Sequence, residues 1–137
     1  MTNFKVWISS FRLRTLPLSI SGIILGSALA YSNQYFNTTI FAFALLTTIS
    51  LQILSNLAND YGDGIRGTDN IDRLGPKRTI QSGEISHKQM RAAIVIFSSL
   101  SLISGILLII VALGANWHLG LLFLLFGLAS IAAAIKY

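Results

Sequence analysis

Residues 56–83 read NLANDYGDGIRGTDNIDRLGPKRTIQSG. Asp60, Asp63, Asp69 and Asp72 lie in this stretch, and the remaining acid, Glu84, follows at once. Extended to Arg91, the segment holds eleven of the fifteen Asp, Glu, Lys and Arg residues in the chain. The sequence on either side is long, apolar and nearly uncharged. Of the 137 residues, 53% are hydrophobic and 11% charged, whereas a soluble domain carries roughly 25% charged residues. Apolar blocks of about twenty residues around one polar island place the chain in the membrane class, as an all-α, polytopic transmembrane bundle.

Outward from the island, the sequence divides into four spans. Upstream, residues 40–59 form one span, which turns polar at Gln52, Ser55, Asn56 and Asn59. Before it, Pro17 suits the first turn of a helix over 16–31, where its missing N–H costs nothing. Gly22, Gly26 and Ala30 recur there every four residues, a stripe that lets another helix approach closely. That block is too long for a signal-peptide core and reads as a retained helix. Residues 1–13 place Phe4, Trp7, Ile8 and Phe11 on one helical face, the pattern of a helix lying in the membrane interface. Downstream, Gly62, Gly64, Gly67, Gly75, Pro76 and Gly83 predict a long loop over 60–86. Ser86 is placed to cap the third span, 90–113. A turn at Asn116-Trp117-His118 precedes the fourth, 119–135.

The basic residues set the orientation. Lys5, Arg12 and Arg14 precede the first span, Arg66, Arg73, Lys77, Arg78, Lys88 and Arg91 lie between the second and third, and Lys136 ends the fourth. The other two connections contain neither Lys nor Arg. The positive-inside rule then predicts a multi-pass membrane protein with both termini and the acidic stretch on the cytoplasmic side. The same rule accounts for the net charge of +5, so no nucleic-acid partner is expected. There are no cysteines, which excludes disulfides and thiolate metal sites.

Continued as a helix, the second span brings Asn56, Asp60 and Asp63 within about 60° of arc, at i, i+4 and i+7. Carboxylates one turn apart repel unless a cation lies between them. Oxygen ligands at a water-accessible edge suit Mg²⁺, which bridges carboxylates to substrate phosphates. Asp69 and Asp72 would add carboxylates, while Arg66, Arg73, Lys77 and Arg78 supply the positive charge a diphosphate needs. A Mg²⁺–diphosphate site at the mouth of an apolar bundle fits an isoprenyl diphosphate. Solvated pairing accounts for Glu84 and Lys88, and His87 and His118 are isolated. The Asp60 stretch lacks the alternating ligands of an EF-hand. Asp63-Gly64 is not followed by the Ala-Arg pair of a CDP-alcohol phosphotransferase.

At these residues the chain resembles the UbiA superfamily of intramembrane prenyltransferases. The superfamily pattern Asn-x-x-x-Asp-x-x-Asp is met by Asn56, Asp60 and Asp63. Asn59-Asp60-Tyr61-Gly62-Asp63, Gly67-Thr68-Asp69, Arg73-Leu74-Gly75-Pro76-Lys77-Arg78 and Ser82-Gly83 are most similar to the menaquinone-biosynthesis branch, which acts on 1,4-dihydroxy-2-naphthoate. In other branches the next Asp falls where Gly67 stands. Arg14-Thr15-Leu16-Pro17 looks like the family's entry to its first helix.

The resemblance implies a Mg²⁺-dependent transfer of a polyprenyl group from polyprenyl diphosphate to 1,4-dihydroxy-2-naphthoate, releasing diphosphate and CO₂. It implies catalytic roles for Asn56, Asp60 and Asp63, metal binding by Asp60, Asp63, Asp69 and Asp72, and diphosphate binding by Arg73, Lys77 and Arg78. The family bundle has about nine spans and a second Asp-rich motif. No acid follows Glu84 here, so the chain is expected to be a fragment, inactive alone. Two other functions fit the pattern: prenyl transfer to a different aromatic acceptor, and, from another class, an ion-coupled transporter subunit with its ion site at the Asp cluster.

Overall fold

The fold was obtained as a computed structural model, which describes residues 4–66 and 83–136. Among these residues every regular element is helical. The elements are α1 (Phe4–Phe11), a 3₁₀ turn (Leu13–Thr15), α2 (Leu16–Ser32), α3 (Thr38–Arg66), α4 (His87–Leu113) and α5 (Trp117–Lys136). Four segments are long and apolar enough to cross a membrane. The chain is therefore a polytopic all-α membrane bundle.

Helix α3 is the hub, packing against α1, α2, α4 and α5. It starts where Asn37 Oδ1 accepts from the amides of Thr39 and Ile40, at 2.9 and 3.1 Å. Its 29 residues span about 44 Å at 1.5 Å per residue, against roughly 30 Å of hydrocarbon. Its length exceeds that layer by more than two turns, and the acids lie in the last two turns of the helix. The helix runs through Gly62 and Gly64 to Arg66, so the expected loop from residue 60 begins later than the glycines suggest. A helical glycine costs only about 1 kcal/mol relative to alanine, and packing of the preceding turns offsets that. Leu54 and Leu57 are fully buried and Tyr61 packs on the core.

Helix α4 begins three residues earlier than expected, because Ser86 and Gln89 form a reciprocal capping box. The Gln89 amide donates to Ser86 Oγ at 3.2 Å, and the Ser86 amide donates to Gln89 Oε1 at 2.9 Å. Ile85 and Met90, the residues before the cap and four after it, are both buried in one cluster. This is the hydrophobic staple that fixes the chain's entry angle. Gly83 supplies the left-handed backbone, φ 71°, that starts this approach. At the other end, Asn116 Oδ1 accepts from the Leu119 amide at 3.3 Å, so Trp117 opens α5 rather than sitting in the turn.

The buried apolar residues, Ile53, Leu54, Leu57, Ala58, Ile85 and Met90, gather at the acidic end of the bundle. Val6, Trp7 and Phe11 of α1 pack on this cluster, and Phe11 meets Phe97 of α4 edge-to-face at 5.4 Å. Helix α1 is thus docked on the protein as well as amphipathic. Its expected face divides, with Trp7 and Phe11 turned to the core and Phe4 and Ile8 exposed. Deeper in the bundle, α3 and α4 meet through small polar groups. Thr47 donates to Ser104 at 2.9 Å, and a Cβ on Gly105 would lie 3.7 Å from Thr47. On α2, a Cβ on Gly22 or Gly26 would meet nothing within 4 Å, so among the described residues no helix packs closely on the stripe. Those glycines line an open groove beside Phe36, Ile40 and Phe41.

Candidate functional site

Because α3 stays helical to Arg66, Asn56, Asp60 and Asp63 share one face over two turns. Asn56 and Asp60 are buried and Asp63 is half-buried. Leu57 and Ala58, one and two residues beyond Asn56, point into the packed side of the bundle. The acidic face is presented to the segment joining α1 and α2.

That segment is a sharp elbow. Arg12 has φ 50° and ψ 52°, a left-handed conformation that costs a non-glycine residue about 1–2 kcal/mol. Several hydrogen bonds offset the strain. The Arg12 amide donates to Ser9 O at 3.2 Å, and the Thr15 amide donates to Arg12 O at 2.8 Å. The Thr15 hydroxyl donates to the same carbonyl at 2.9 Å. The site clamps the elbow from below. Asn56 Nδ2 donates to Phe11 O at 2.9 Å and to Thr15 Oγ1 at 3.2 Å. Arg12 Nη2 forms an ion pair with Asp60 Oδ1.

These contacts divide the work among the predicted residues. Both bonds from the Asn56 amide nitrogen serve the elbow. Asp60 faces a guanidinium. The expected roles of Asp69, Asp72, Arg73, Lys77 and Arg78 fall on positions outside the described residues. Sequence reasoning counted Arg12 only towards orientation. Its pairing with Asp60, 48 residues away, and the part played by Thr15 went unread. A buried carboxylate needs a cation, and Arg12 and Arg14 are the bases nearest the first span, but only the left-handed turn selects Arg12.

Among the described residues no three His, Cys, Asp or Glu side chains cluster as a ready-made metal cage. That donor set still fits Mg²⁺, which binds through one or two carboxylates and completes its shell with water and phosphate oxygens. Asp60 and Asp63 are the two carboxylates on this face. A second feature of the bundle is a cavity of about 220 Å³ between α3, α4 and α5, lined by Thr47, Leu51, Gly105, Ile109, Phe123 and Gly127 among others. Its walls are almost wholly apolar.

Known proteins resemble the chain over most of its length. The chain is 44% identical over 133 residues to a 1,4-dihydroxy-2-naphthoate octaprenyltransferase of Escherichia coli (strain K12), covering 97% of the chain and 43% of the relative. It is 44% identical to the Haemophilus influenzae protein of the same name, covering 97% of the chain and 44% of the relative. To that of Mycobacterium tuberculosis it is 35% identical, covering 85% of the chain and 39% of the relative. The chain therefore spans less than half the length of these curated relatives. No solved structure matches it significantly. The family model for UbiA prenyltransferases matches residues 19–137, from the second turn of α2 through the acidic face of α3 to the end of α5. By its sequence and its helical architecture alike, the chain belongs to the UbiA prenyltransferase family.

Proposed function

We propose that the chain carries a metal–diphosphate motif of an enzyme that transfers a polyprenyl group from polyprenyl diphosphate to 1,4-dihydroxy-2-naphthoate. The observation that carries this reading is the unbroken α3, which holds Asn56, Asp60 and Asp63 on one face near the end of a membrane-length helix. The names of relatives that match nearly the whole chain support the choice of acceptor. The one-sided distribution of Lys and Arg supports a cytoplasmic position for the site in a bacterial inner membrane.

In this reading Asp60 and Asp63 hold Mg²⁺, with Asp69 and Asp72 as further acids and Arg73, Lys77 and Arg78 against the diphosphate. The metal, when bound, neutralises charge on the departing diphosphate. The chain's own contribution is position and solvent. Asn56 fixes the elbow over the acidic face, so the carboxylates keep one geometry. The apolar helices keep water from the allylic cation that forms as the prenyl C–O bond breaks with its electron pair leaving on diphosphate. The naphthoate ring then bonds to the prenyl carbon, and its carboxylate departs as CO₂, leaving its electron pair on the ring.

The test uses the full-length protein in detergent or nanodiscs, with polyprenyl diphosphate, 1,4-dihydroxy-2-naphthoate and Mg²⁺. Asp60→Asn and Asp63→Asn should each lower turnover by at least about 10²-fold, the scale of losing one electrostatic stabiliser. Removal of Mg²⁺ by chelation should abolish product. Full turnover in both variants would remove the acidic face from the reaction.

A further inference from the structure

We propose that Arg12 is a positioning residue that occupies Asp60 as an internal cation until a divalent metal displaces it, releasing the α1–α2 elbow as the site loads. The proposal rests on the metal–diphosphate reading of the acidic face. It is carried by contacts that this reading does not use.

The Asp60 side chain is only 4% exposed and that of Arg12 29%. A carboxylate so enclosed needs a cation beside it, and the guanidinium fills that need in the unloaded protein. A divalent ion on the same carboxylate would bring three positive charges together in a site of low dielectric. The guanidinium must then withdraw, and its partial exposure gives it a route outward.

Withdrawal also acts on the backbone. Arg12 is held in a left-handed conformation, and its ion pair is one of the few contacts that keep it there. The others are the Ser9 carbonyl and the Thr15 amide and hydroxyl. Asn56 stays bonded to Phe11 O and Thr15 Oγ1, so the ends of the elbow remain anchored while its middle is freed. Helix α1, docked through Trp7 and Phe11, therefore senses occupancy of Asp60. Because the elbow leads directly into α2, loading of the metal is coupled to the entry of the first span.

The experiment uses full-length protein in detergent, with Mn²⁺ as a paramagnetic stand-in for Mg²⁺. Binding is followed by the loss of the free Mn²⁺ resonance, without substrate and without turnover. Arg12→Gln should tighten Mn²⁺ binding by at least about fivefold, the lower range of a coupling between two sites. Arg12→Lys, which keeps the charge, should stay near the wild type. Arg14→Gln removes the same charge from an exposed neighbour and should also stay near the wild type.

In parallel, hydrogen exchange of the wild-type protein should show the bonded elbow amides of Arg12 and Thr15 losing protection when Mn²⁺ is added. This measurement needs no variant to fold. Equal shifts in Arg12→Gln and Arg14→Gln would reduce the effect to general charge and overturn the proposal. So would unchanged or weaker binding in Arg12→Gln, or an elbow whose protection ignores bound metal. Absence of Mn²⁺ binding in the wild type overturns the metal reading and the latch with it. Binding without dependence on Arg12 overturns the latch alone.

Discussion

At the scale of single residues, Asn56 is the most informative. Its position at i, i+4, i+7 with the two acids marks it as part of the site. Its amide hydrogens, however, go to Phe11 O and Thr15 Oγ1, partners 45 and 41 residues away. The helical period shows which side chains share a face. It cannot show what covers that face, because the cover comes from a separate segment whose approach depends on a left-handed turn at Arg12. Asn56→Ala leaves the buried end of the elbow without its donors and should destabilise the protein by about 1–3 kcal/mol. Thermal unfolding in detergent, compared with the wild type, measures this. Unchanged stability would mean that the elbow does not depend on the clamp.

At the scale of elements, the spans were legible because apolar blocks of this length have few alternatives, and their ends were less so. Gly62 and Gly64 read as breakers, yet α3 continues through both. Breaking a helix requires that its glycines cost more than its packing returns, and Leu54, Leu57 and Tyr61 reverse that balance. A prediction follows from the open space at Gly62, where a Cβ would meet nothing within 4 Å. Gly62→Ala should raise stability by about 0.5–1 kcal/mol, since alanine loses less chain entropy in a helix. A drop in melting temperature would show that the glycine is needed for its conformation. The start of α4 gives the opposite case. Ser86 was readable as a cap from its type and place. The reciprocal bond from Gln89 and the staple of Ile85 on Met90 complete the motif. Ser86→Ala should cost about 1 kcal/mol, read as a lowered midpoint in the same unfolding assay.

At the scale of the whole molecule, burial is concentrated at one end of the bundle. Helices α2 and α5 contain no buried residue, an exposure a bilayer tolerates, since lipid tails are as apolar as leucine. The buried cluster forms at the acidic end of α3, where Ile53, Leu57, Ile85 and Met90 pack together. That cluster makes a firm platform beneath the Asp-rich face. The proposed orientation is open to direct test, since the chain contains no cysteine. In a cysteine-free full-length background, Glu84→Cys should react with a membrane-impermeant maleimide only from the cytoplasmic side. Gln34→Cys, between α2 and α3, should react only from the opposite side. Labelling of both from one side would contradict the four-span topology.

Composition, span length and the placement of charge were enough to determine a polytopic all-α membrane protein with one polar island, and helical spacing was enough to put Asn56, Asp60 and Asp63 on one face. These properties depend on local geometry and on solvent partition, both of which a linear pattern carries. Tertiary structure alone decided that α3 remains helical past its glycines, that α1 docks on the core, and that Arg12 rather than Arg14 reaches Asp60. Each of these is a contact between segments distant in the chain, where packing and a single left-handed residue outweigh local preference. The polar island is therefore one end of a packed helix, held under an elbow formed more than forty residues earlier.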